Sequence, residues 1–170
     1  MFTAAAGQAM VRMMICTRDL EGLPVVLKNS GRMLGRVLSA DCRPGEMRLA
    51  GLVVEKNPPR CARRYLPWEA IAVLGRRVVV AKVPDGPMPR QLAGQRLVLG
   101  PDGGMMGFLR GFRLDSVTGR LLQAELAVSF WEDWTQTSTL TPADLVPETT
   151  GLRYHPPEND EKDGQNHALL

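Results

Sequence analysis

Residues 19–55 read DLEGLPVVLKNSGRMLGRVLSADCRPGEMRLAGLVVE, and residues 91–127 read QLAGQRLVLGPDGGMMGFLRGFRLDSVTGRLLQAELA, with glycines and aliphatic residues in the same order. Gly22 and Gly94, Val26 and Val98, Gly31 and Gly103, and Gly35 and Gly107 each stand 72 positions apart. A two-residue insertion then shifts the spacing to 74, which aligns Gly45 with Gly119, Leu52 with Leu126, Val54 with Val128, Leu66 with Leu140 and Ile71 with Leu145. A repeat of this period means two copies of one structural unit.

Each copy is built from strand and turn signals. PVVLK, MLGRVLSAD, EMRLAGLVVE and RRVVVAK are short aliphatic or alternating runs bounded by NSG, CRPGE and NPP. QRLVLG, MMGFLRGFRLD and GRLLQAELAVSF follow the same cadence around GPDGG and SVTG. Asn29-Ser30-Gly31 and Pro101-Asp102-Gly103 supply residues suited to tight turns between strands. WEAIAVLG after Pro67 and PADLV after Thr141 predict one or two helical turns each, with Thr141 as an N-cap. Short antiparallel strands in so small a unit bury one face and hide their edges by curling into a closed barrel, whose interior is filled by side chains. The expected fold is therefore all-β: two small antiparallel β-barrels in tandem with short helical turns. The expected organisation is a flexible segment over 1–15, a first barrel over 16–83, a proline-rich linker over 84–90, a second barrel over 91–155 and a disordered acidic tail over 156–170.

DLEGLPVV, SGRMLGRV, RLAGLVVE and the later YLPWEAI…LG…VVV resemble the PRC-barrel domain family. That fold takes its name from the cytoplasmic domain of the photosynthetic reaction-centre H subunit, and the C-terminal domain of RimM-type ribosome-maturation factors shares it. The second copy keeps the glycine frame and replaces LPWEAI by LTPADLV. The whole resembles the tandem PRC-barrel proteins of bacteria. The resemblance implies small barrels that work by contacting protein partners or an assembling ribosome, not by catalysis.

Composition narrows the classes. Hydrophobic residues make up 44%, charged residues 23% and aromatics 5%, so the chain has a globular balance and its core must be mostly aliphatic. No apolar run is long enough to span a bilayer as a helix, and coiled-coil, collagen-like and wholly disordered chains are excluded as well. The N-terminus lacks the basic and apolar regions of a signal peptide, which makes the cytoplasm the expected compartment. Cys16, Cys42 and Cys61 are odd in number and widely spaced, which argues against a zinc site or a disulfide framework.

The +3 net charge is unevenly spread. Thirteen Lys/Arg face six Asp/Glu between Arg18 and Lys82, whereas five face seven between Gln91 and His155. Arg60, Arg63 and Arg64 cluster in one loop and Arg76-Arg77 open a later strand, a patch able to engage phosphates or an acidic protein face. Trp131 and Trp134 lie in FWEDW, the one aromatic cluster, which takes the place of the basic NPPRCARR of the first copy. They read either as a partner-binding ridge or as a cap on the barrel end or seal between the barrels. Glu132 beside Asp133 is too little to define a metal site, and Trp68 reads as a packing residue.

No catalytic constellation is present. His155 and His167 have no neighbouring nucleophile motif, and GxSxG, P-loop and helix-opening GxGxxG patterns are missing. Cys61 reads as a small residue of a basic loop. The expectation is a non-enzymatic, cofactor-free protein without a metal, acting as an adaptor or regulatory module through protein partners, with peripheral association at a membrane surface as one setting. RNA or ribosome binding through the basic first barrel is the alternative, and a small enzyme with a site between the barrels ranks last. Duplicated units and strand edges also permit a dimer.

Overall fold

The computed structural model describes residues 12–56, 61–90, 92, 97–127 and 137–157. Thirteen strands follow one another: β1 (Met14–Cys16), β2 (Pro24–Leu27), β3 (Met33–Arg43), β4 (Arg48–Glu55), β5 (Arg63–Pro67), β6 (Ile71–Leu74), β7 (Val79–Ala81), β8 (Leu97–Leu99), β9 (Met105–Asp115), β10 (Leu121–Ala127), β11 (Thr137–Leu140), β12 (Leu145–Pro147) and β13 (Leu152–Tyr154). They form two sheets with the same plan, β5-β4-β3-β2-β7-β6 and β11-β10-β9-β8-β13-β12. Each sheet curls, so the fold is all-β with two small barrels in tandem. The ladders are antiparallel except for β2 with β7 and β8 with β13, where the last hairpin returns alongside the first strand. The predicted helical turns shrink to three-residue 3₁₀ corners, Trp68–Ala70 and Pro142–Asp144, and the aliphatic residues after each corner continue as β6 and β12. Thr141 occupies the N-cap position of its corner but its side chain makes no capping hydrogen bond.

The curl comes from bulges in the long central strands. Register slips at Val25/Val26 opposite Gly35, at Val37/Ser39 and at Asp41/Cys42 on β3. It slips at the equivalent places around Gly107, between Leu109 and Gly111, and between Leu121 and Gln123. A bulge bends its strand and steepens the local twist, so an 11-residue strand can serve both walls of a small barrel. Gly35 is required by space as well: a β-carbon there would run into the Glu55 carbonyl.

The register also moves the insertion. Val37 faces Val54 and Leu109 faces Leu126, so Val54 is the counterpart of Leu126, and Leu52 that of Ala124, still at a spacing of 72. Leu52 pairs with Leu66 and Ala124 with Leu140, which brings in the spacing of 74. The extra residues therefore lie between β10 and β11, not before Gly119. The counterpart of Gly119 is Met47 rather than Gly45, and both have left-handed backbones, φ 69° and 54°.

The two barrels meet through these same hairpins. Leu49 N–H donates to the Gly119 carbonyl at 2.8 Å and Leu121 N–H donates to the Met47 carbonyl at 2.9 Å. Arg48 bridges Arg120 antiparallel between them. Leu49 and Leu121, Met47 and Gly119, and Arg48 and Arg120 are counterparts, so the contact has a pseudo-twofold axis between the two arginines. Trp68 lies over Gly119, where a β-carbon would come within 2.8 Å of the indole. The packing role expected of Trp68 is met. Buried residues of both barrels form one cluster, with Leu20, Leu49, Leu52 and Leu66 on one side and Leu114, Leu121, Leu126 and Leu145 on the other. Phe112 is its one buried aromatic among the described residues.

The N-terminal boundary differs from expectation. β1 does not join the first sheet or hang free; it extends the second sheet along β9, with Ile15 opposite Leu114 and Cys16 opposite Arg113. Ser116 secures it, donating its N–H to the Met13 carbonyl and accepting the Met13 N–H on Oγ. Arg12 forms an ion pair with buried Asp115. The linker is docked on the first barrel, since Gly86 and Tyr65 exchange backbone hydrogen bonds of 2.7 and 3.0 Å. Among the described residues no helix is long and apolar enough to cross a membrane.

Two outcomes follow from this joint. Gly119→Ala adds a β-carbon against Trp68 at a left-handed position, and it should lower stability by about 1–3 kcal/mol, read from the urea midpoint, while changing Trp68 fluorescence in the other barrel. The Val117 N–H, the Arg12 guanidinium and the Thr118 N–H hold the Asp115 carboxyl below the ordinary carboxylate range. A depressed folded value stabilises the protein above the unfolded pKa of about 3.9, and that contribution is lost as pH falls through the lowered value. Asp115→Asn keeps a turn acceptor without the charge, so its stability deficit should shrink as unfolding is measured from pH of about 5 down to about 2.

Candidate interaction surface

Strand register gathers arginines that are scattered in the chain. Arg63 on β5 pairs with Glu55 on β4, Glu55 with Arg36 on β3, and Arg36 with Pro24 on β2. Val25, next along β2, pairs with Val79 at the start of β7, just after the β6–β7 turn that carries Arg76 and Arg77. Arg36, Glu55, Arg63, Arg76 and Arg77 are all exposed. One lateral row of the first barrel thus presents Arg36, Glu55 and Arg63 side by side, with Arg76 and Arg77 on the turn that leads into β7 beyond β2. Of the arginines singled out in the sequence, Arg63 stands in this row, and Arg76 and Arg77 are exposed on the turn before β7. Arg60, Trp131 and Trp134 lie outside the described residues, as do Glu132, Asp133 and His167.

Arg64 does not belong to the row. Strand alternation turns it to the opposite face from Arg63. Its Nε donates to Asp85 Oδ2 at 3.2 Å and its Nη2 to the Asp85 carbonyl at 3.2 Å. Lys56 Nζ stands 3.7 Å from the same carboxylate, and the Asp85 side chain is 3% exposed. Arg64 is a clamp that holds the linker to β5. Arg36, which sequence reasoning did not single out, takes its place in the row. The signal was present in MLGRV, where alternation against buried Val37 sends Arg36 outward.

The aromatic side chains beside the row are occupied. Tyr65 lies against Gly51, and its hydroxyl donates to buried Asp41 Oδ2 at 2.8 Å. Burial, reinforced by the Asp41 carboxylate, pushes the phenol pKa up and keeps it a neutral donor. Trp68 packs on the core and on Gly119.

A second feature is a cleft of about 430 Å³ between the barrels. Cys42, Leu92, Leu109, Phe112, Pro147 and Leu152 line it together with the charged Arg43 and Glu46. Glu46 lies between two guanidiniums, Arg43 at 3.3 Å and Arg48 at 2.6 Å, and the Arg48 and Arg43 hydrogen bonds hold its carboxyl below the usual range. Burial pushes the Cys42 thiol pKa far up, with neighbouring Asp41 adding to the shift. Glu46 is engaged by its two guanidiniums and the thiol is not activated, so the lining offers no acid–base pair or nucleophile. His155 and Cys61 are exposed, and no group of three metal-ligating side chains occurs among the described residues.

A scan against protein-family models finds no match to this chain, and a search of curated proteins finds none either.

The two neighbouring arginines should behave differently. Arg64→Ala leaves buried Asp85 with Lys56 as its one remaining cation among the described residues and should cost about 1–3 kcal/mol in urea unfolding. Arg63→Ala, on the outer face, should stay within about 0.5 kcal/mol of the parent.

Proposed function

We propose that this chain is a non-catalytic protein of two PRC-like barrels, and that it serves as an adaptor or regulatory module by docking the arginine row of its first barrel onto an acidic face of a protein partner. The exposed Arg36 and Arg63 of the sheet, with Arg76 and Arg77 on the turn before β7, carry this reading. Exposed guanidiniums on a rigid sheet keep fixed spacing, and their fork geometry suits carboxylates. The setting is the cytoplasm or the cytoplasmic face of a membrane, and neither metal nor cofactor enters. The cleft supports the non-catalytic reading because its polar groups do not converge on a reacting position.

RNA is the rival ligand, since phosphates suit the same arginines. Recognition of single-stranded RNA adds base stacking on exposed aromatics. Tyr65 is committed to Asp41 and Trp68 to the barrel joint, which favours carboxylates over nucleotides.

The test is affinity capture from the source cell with the intact chain, with and without nuclease, alongside Arg63→Glu/Arg77→Glu. A protein partner that survives nuclease and is lost from the double variant is the expected result. Capture abolished by nuclease, with RNA affinity that falls steeply with salt, would replace the protein reading by the RNA one.

A further inference from the structure

The pseudo-twofold axis relates two strand edges, and they are not used alike. On β9, β1 covers Arg113, Leu114 and Asp115, with Ile15 3% exposed. The counterparts of Leu114 and Asp115 are Cys42 and Arg43 on β3, and among the described residues no strand pairs there on the side away from β4. The duplicate of β1 cannot do so, because residues 86–88 begin at Gly86, which is held on β5 by Tyr65. Pro87, the counterpart of Ile15, is exposed. Beside Cys42 and Arg43 lies the inter-barrel cleft. Its volume of about 430 Å³ is within the range of binding sites.

Charge specifies the occupant. Asp115 receives Arg12, three residues before Ile15. Its counterpart Arg43 is cationic, and two guanidiniums share the single Glu46 carboxylate of the cleft lining. A segment docked as β1 is docked would place an acidic residue where β1 has Arg12. Pro44 replaces Ser116 and has no N–H to offer, so this edge binds through fewer backbone bonds and relies more on the cleft and the charge.

We propose that the cleft is a strand-addition site for an extended segment of a partner protein with the pattern acidic-x-x-aliphatic, paired along β3 at Cys42–Arg43 with its aliphatic side chain in the cleft and its carboxylate on Arg43. Backbone pairing supplies affinity in this mode and the side-chain pockets supply specificity. The site is separate from the arginine row and stands without it.

The probe is a synthetic peptide of residues 10–18 carrying R12E and C16S, titrated into the intact chain by calorimetry and followed by NMR. The expected result is saturable binding with shifts at Leu109, Phe112 and Leu152, about fivefold or more tighter than for the same peptide with Arg12 retained. Arg43→Glu should reverse that preference, an outcome that general damage to the fold would not produce. Arg63→Glu/Arg77→Glu should leave peptide binding unchanged, so failure of the arginine row and failure of the cleft are separable. Absence of saturable binding, shifts confined to Ile15 and Leu114, or a preference that Arg43→Glu leaves unmoved would overturn the proposal. So would binding seen only after deletion of residues 158–170, which would make the chain's own tail the occupant.

Discussion

Two backbone hydrogen bonds, from Leu49 to Gly119 and from Leu121 to Met47, hold the architecture to its symmetry. Each barrel alone is a small unit with a thin aliphatic core, the size at which burial barely offsets chain entropy. Joining the two hairpin tips merges these cores into one cluster and satisfies the backbone groups that a tip would leave facing an apolar surface. Trp68 needs the bare glycine opposite to settle there, and β1 ties the start of the chain to the far barrel. Arg48 opposite Arg120 is the one unfavourable pairing at the axis, and Glu46 on Arg48 offsets it.

Much of this was legible in the residues. Glycines at 35 and 107, and at 31 and 103, gave the repeat because bulges and tight turns demand them at fixed places. Aliphatic alternation gave the strands. Where the chain inserts residues was misplaced, because Gly45 lies closer to Gly119 in kind than Met47 does, and only register shows that Met47 carries the left-handed turn. The helical turns are present as single 3₁₀ corners; the IAVL and LV that follow fit either period when so short, and pairing decides for strand. β1 was missed because its docking depends on Ser116 and Asp115, a hundred residues away, and long-range pairing leaves no local signal.

The surface was only partly legible. A count of arginines cannot tell Arg63 from Arg64, although one is an outward charge and the other a linker clamp, since the difference is a single step of strand alternation plus a buried Asp85. Arg36 carried only its outward step beside Val37, and Arg43 carried no mark of its own. The first emerges from the row across β2 to β5, and the second from its mirror relation to Asp115.

Fusing the halves in one polypeptide has a further effect on the axis. In a true homodimer any change at the seam acts in both subunits at once, doubling both its harm and its gain. Here Met47 can differ from Gly119, Pro44 from Ser116 and Arg43 from Asp115, with each difference felt on one side alone. One half is thereby free to keep the seam intact while the other drifts toward a new chemistry, which no symmetric pair of identical subunits allows.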